Sequence, residues 1–134
     1  MTKLVDIEGI GATYAAKLQS ADINNLEKLL EKGSTKKGRK AIEDATAISG
    51  KLILRWINMA DLFRIKGIGE QYSDLLEAAG VDTVPELAQR KAENLHKKMV
   101  EVNEAKNLVR ATLSLSAVEK WVVEAKQLPR VVTY

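Results

Sequence analysis

Two short glycine signatures carry the most chemical promise in this chain: Ile7-Glu8-Gly9-Ile10-Gly11 and Ile65-Lys66-Gly67-Ile68-Gly69. Two glycines around one isoleucine let the backbone turn tightly and leave no side chain to bar a close approach. If a helix follows at once, its first amides have no partner inside the helix. They offer N–H groups and a positive dipole end to an anion. The chemistry to expect is the non-covalent holding of a phosphate-like group. Arg64 and Lys66 flank the second signature, and Lys36, Lys37, Arg39 and Lys40 form a basic cluster elsewhere. That cluster is either a track for a phosphate backbone or a solvated face. Positive charge at a helix start opposes the helix dipole, which is a small cost to the fold.

Other chemistries find little support. The chain has no cysteine, which excludes disulfides, thiolate metal sites and cysteine nucleophiles. His96 is the single histidine, and Met99 and Val100 stand three and four residues on, where a second ligand would be needed. No nucleophile is paired with a base, and no phosphate loop or metal motif is present. The expectation is a non-enzyme without metal or cofactor. Trp56, Trp121, Tyr14 and Tyr72 lie on apolar helical stripes and are expected in the core.

The elements that hold the glycine signatures are legible through a repeat. The second signature lies 58 residues after the first, and the same spacing pairs Tyr14 with Tyr72, Leu18 with Leu76, Ala21 with Ala79, Ile23 with Val81 and Leu29 with Leu87. The matched positions are apolar or glycine, while the polar residues between them differ freely. Trp56, Ala60 and Leu62 close the first copy; Trp121, Ala125 and Leu128 close the second with a longer spacing, absorbed over residues 102–113.

Each copy reads as four helices. The first helices run over residues 11–20 and 69–79. Gly80 suits the left-handed residue that ends a helix, and Asp22 takes that place in the first copy. The next helices start at Asn24 and Thr83, with Glu27 and Glu86 as capping partners. The third cover residues 36–45 and 93–102, and the last begin at Ser49 and Ser116. Because only six residues precede the first turn, the helix around Trp121 is expected to pack where a preceding helix would lie. The tail, residues 129–134, is β-prone but has no strand to pair with. The expectation is an all-α fold of two pseudo-repeated four-helix units, residues 1–62 and 63–134, sharing a core in one compact body.

Composition agrees. Hydrophobic residues make up 46% of the 134, enough for a core, and aromatics only 4%, so aliphatic helices must supply it. A net charge of +3 permits nucleic-acid binding without demanding it. No long apolar run opens the chain, so neither a signal peptide nor a membrane anchor is expected, and the protein reads as cytoplasmic.

The two signatures resemble the helix-hairpin-helix motif, hydrophobic-x-Gly-hydrophobic-Gly followed by a helix, over about twenty residues each. The whole chain looks like an uncharacterised bacterial family of tandem helix-hairpin-helix units known only as a domain of unknown function. The resemblance implies sequence-independent binding of a DNA backbone, with phosphate on the amides of Gly9, Gly11, Gly67 and Gly69 and of the residues after them. Members of the superfamily that bind DNA usually add Lys or Arg just past the second glycine. This chain has Ala12 and Thr13 there in one copy and Glu70 and Gln71 in the other, and Glu8 stands inside the first turn. Arg64 and Lys66 make the second turn the better expected phosphate site. Two alternatives stand beside DNA binding: a protein-interaction or scaffolding module that keeps the fold, and a structural homo-oligomer.

Overall fold

The computed structural model describes residues 3–7, 9–110 and 114–134, with only the backbone of Glu70. Among them every regular element is helical, and no strand is present. A 3₁₀ turn, Leu4–Asp6, is followed by α1 (Ala12–Ser20), α2 (Leu26–Gly33), α3 (Lys36–Thr46), α4 (Gly50–Leu62), α5 (Glu70–Ala78), α6 (Val84–Gln89), α7 (Ala92–Lys106) and α8 (Leu115–Gln127). No described helix is long and apolar enough to cross a membrane.

The chain divides into two units. The first comprises residues 1–61 with 131–134, and the second residues 62–130. In the first, α1 and α2 both pack on α3. Its core includes Ile7, Ile10, Leu18, Ile23, Leu29, Ile53, Trp56 and Ile57, each at most 3% exposed. Two glycines allow close packing here. A methyl group on Gly33 would run into Ile57, and one on Gly38 would run into the Lys32 carbonyl at the corner between α2 and α3. In the second unit α6 and α7 pack on α8, and α5 on α7. Its core joins Ile65, Ile68, Leu75, Leu76, Leu95, Met99, Val118 and Trp121.

Inside each unit the same backbone bonds recur at the 58-residue spacing. Ile7 donates to Leu4 and Ile65 to Leu62; Ile10 to Ile7 and Ile68 to Ile65; Ile23 to Leu18 and Val81 to Leu76. Helices α1 and α5 both end on a left-handed residue, Asp22 with φ of 64° and Gly80 with φ of 96°.

Three helix boundaries need correction. The cap of α2 is Asn25, whose side chain accepts from the Lys28 amide at 2.8 Å, and not Asn24. Asn25 is the residue that keeps the 58-residue spacing to Thr83, the cap of α6. Helix α8 starts two residues early, with Ser114 as its cap, and α7 runs on to Lys106 rather than stopping at 102. Asn103 closes the end of α7 by bonding both the amide and the carbonyl of Val109. The tail forms no strand, in keeping with the expectation, and it is anchored by other bonds. The Thr133 amide donates to the Ser34 carbonyl at 2.8 Å, Val132 is 2% exposed, and the Tyr134 hydroxyl donates to Asn58 Oδ1 at 2.6 Å.

Candidate nucleic-acid interface

Both glycine turns close in the same way. The first and fourth residues are buried isoleucines joined by a backbone bond of 3.1 Å, and the third is a glycine with positive φ, 97° at Gly9 and 92° at Gly67. At that positive φ a residue with a side chain would be strained, so glycine is required at the third place of each turn. The isoleucines anchor the turn and push its glycines outward. Gly11 and Gly69 then take extended backbone and serve as N-caps of α1 and α5, offering no side chain to the helix amides. Helices α2, α3, α6 and α8, by contrast, are capped by Asn25, Thr35, Thr83 and Ser114. A methyl group added at Gly11 or Gly69 would meet nothing within 4 Å.

A tryptophan underlies each turn. A methyl group on Gly67 would stand 3.2 Å from Trp121 Nε1; on Gly9 it would stand 3.6 Å from Trp56 Nε1 and 3.3 Å from Arg55 Nη1. Each indole also packs on the tyrosine of the following helix, Tyr14–Trp56 at 5.1 Å and Tyr72–Trp121 at 5.3 Å between ring centroids. Trp121 therefore belongs to the second turn. The place at the first turn that sequence reasoning gave to it is filled by Trp56. The Trp56 Nε1 is buried without a hydrogen-bond acceptor among the described residues.

The basic residues sort into two groups. Lys36 and Lys37 are exposed at the start of α3, without partners among the described residues. Lys40 is exposed and pairs with Asp44 at 3.3 Å. Arg39 departs from this surface group. It is 8% exposed, donates to the carbonyls of Gly33 at 2.9 Å and Thr133 at 2.7 Å, and stacks over Tyr134. Its guanidinium ties the tail to the corner after α2. At the second turn Lys66 is exposed, while Arg64 is half-buried and donates to the Pro129 carbonyl at 2.9 Å. Glu8, expected to repel phosphate at the first turn, lies outside the described residues, and so does the side chain of Glu70.

Two contributors were missed from sequence. Glu124 accepts the Lys66 amide with both carboxylate oxygens, at 3.2 Å each. Arg55 lies beside Gly9. A signal for Arg55 was present: Arg55-Trp56 and Lys120-Trp121 are matching basic-tryptophan pairs.

These features define an all-helical protein with two outward glycine turns, each feeding a helix start that no side chain caps. The chain belongs to the family described as a domain of unknown function, DUF4332, whose model matches residues 8–128. No curated protein and no solved structure matches it.

Proposed function

We propose that the chain is a tandem of two helix-hairpin-helix-type units and acts, in the cytoplasm, as a non-catalytic module that binds the nucleic-acid backbone without regard to sequence. The observation that carries this reading is the pair of glycine-led helix starts. At Gly11 and Gly69 the helix amides lack a side-chain cap, and a Cβ at either glycine would meet open space, an arrangement that suits a phosphate oxygen. Lys36, Lys37, Lys40 and Lys66 are exposed cations that would add long-range attraction. Contacts of this kind position a backbone and carry no base information. The test is fluorescence anisotropy with two labelled duplexes of unrelated sequence. The reading expects equal binding to both at low salt; no binding to either at micromolar protein overturns it.

A second reading, a protein-interaction or scaffolding module, is favoured by the internal use of candidate groups. Glu124 already occupies the Lys66 amide, and Arg39 and Arg64 direct their guanidinium groups to backbone carbonyls. Failure of both duplexes to bind would select this reading.

A further inference from the structure

Residues 131–134 form neither helix nor strand, yet the first unit holds them at the end of α2, on α3 and on α4. The Thr133 amide donates to the Ser34 carbonyl, just past α2, at 2.8 Å. The Thr133 carbonyl accepts from Arg39 Nη2, on α3, at 2.7 Å. The Tyr134 hydroxyl donates to Asn58 Oδ1, on α4, at 2.6 Å, and its ring centre lies 5.6 Å from the Arg39 guanidinium. Val132 is buried.

This is how a groove reads a peptide. Both main-chain groups of Thr133 are paired, which any sequence would satisfy, while the side chains before and after it are recognised separately. Two of the recognising groups belong to the interior of the unit: Arg39 is 8% exposed and Asn58 is 9% exposed. If the tail leaves, an Arg39 N–H and the Asn58 oxygen lose these partners, and buried polar groups left without a partner are costly. The groove therefore calls for an occupant of matching chemistry. Thr133 and Tyr134 are exposed in place, so a competitor can reach their bonds. We propose that this groove is a docking site for a peptide segment of a partner protein, one with an aliphatic residue two places before a tyrosine, and that residues 131–134 are its tethered competitor. The partner's main chain meets Ser34 and Arg39 where Thr133 did, and its tyrosine meets Asn58. A second copy is the weaker candidate, because its tail is already held by its own groove at the high effective concentration of a tethered segment. The site rests on the tail contacts alone and holds whether or not the chain binds nucleic acid.

Fluorescence anisotropy of a labelled peptide with the sequence of residues 129–134 tests this on the full chain. Tyr134→Ala and Val132→Ser weaken the tethered tail, so the groove stands open more of the time. Each variant should bind the peptide about tenfold more tightly than the wild type. Tyr134→Ala alters a half-exposed side chain and guards against a packing defect in Val132→Ser; circular dichroism checks that both are folded. The same peptide with phenylalanine in place of its tyrosine should bind more weakly to every chain, because Asn58 then has no hydroxyl to accept from, and this control leaves the protein unaltered. No capture by either variant, equal capture by variants and wild type, or indifference to the tyrosine hydroxyl overturns the proposal. Sedimentation of the wild type supplies a further arm. A concentration-dependent dimer that Tyr134→Ala abolishes would give the groove to the tail of a second copy and overturn the partner assignment.

Discussion

Trp121 lies so close under Gly67 that a methyl group on the glycine would stand 3.2 Å from the indole Nε1, whereas the same group on Gly69 would meet nothing within 4 Å. The two glycines of one turn therefore do different work. Gly67, with φ of 92°, is required by the fold; Gly69, in extended backbone, leaves the approach clear. Gly67→Ala should destabilise the protein by about 1–3 kcal/mol, from left-handed strain and contact with the indole. Gly69→Ala should change stability by less than about 1 kcal/mol yet weaken duplex binding, because its methyl group stands where a phosphate would approach. Urea denaturation and anisotropy on the same two variants check both halves.

Asp22 holds a left-handed φ of 64° at the end of α1. Its repeat partner at this bond pattern is a glycine, Gly80, which carries no penalty there. Asp22→Gly should stabilise the chain, by no more than about 1 kcal/mol, and Asp22→Ala should not. Chemical denaturation midpoints of the two variants decide it. A loss in the glycine variant would contradict the backbone argument.

Arg39 and its neighbours should separate cleanly. Arg39→Ala removes two charge-assisted bonds to the Gly33 and Thr133 carbonyls and the stack on Tyr134. It should cost about 2–4 kcal/mol, and deletion of residues 131–134 should also be destabilising. Lys36→Ala and Lys37→Ala should leave stability within about 0.5 kcal/mol while lowering duplex affinity and its salt dependence. Arg39 affecting binding with no effect on thermal unfolding would contradict this division.

Legibility from sequence followed spacing. The 58-residue repeat was enough to assign the left-handed place to Asp22 and to put Tyr14 and Tyr72 in matching positions. The cap at Asn25 was also within reach, since it alone preserves the spacing to Thr83; two adjacent asparagines offered the same local chemistry, and the repeat was the feature that separated them. Arg39 and Glu124 were beyond a local reading. The first is buried by a tail 94 residues away, and the second meets an amide 58 residues away. In sequence both look like ordinary surface charges on amphipathic helices, because only tertiary packing decides whether a charged group faces water or a backbone. The tail was illegible for the same reason: its partner, the Ser34 carbonyl, is a helix-end acceptor rather than a strand.

Glu86 gives a pH test. Its carboxyl group is raised above the ordinary 4.5, first by burial, then by a hydrogen bond to Asp82 and repulsion from its charge. A raised carboxyl holds its proton more tightly folded than unfolded. Its contribution is therefore favourable at low pH and is lost as pH rises from 4.5 through the raised value. Glu86→Gln keeps an acceptor for the Thr83 hydroxyl and has no charge. It should be at least as stable as the wild type at pH 7, and that advantage should vanish near pH 4. Denaturant midpoints at both pH values, compared between the two chains, check the sign.

The central claim is that the glycine turns serve a phosphate backbone, and a salt titration of wild-type binding to a labelled random duplex tests it most directly. From about 50 to 200 mM salt, the logarithm of the binding constant should fall linearly with the logarithm of salt concentration. Each phosphate neutralised should contribute a slope of about −0.9. Lys66→Ala should reduce the magnitude of that slope by roughly one unit. Absence of binding at about 50 mM salt and micromolar protein, or affinity indifferent to salt, would contradict the account.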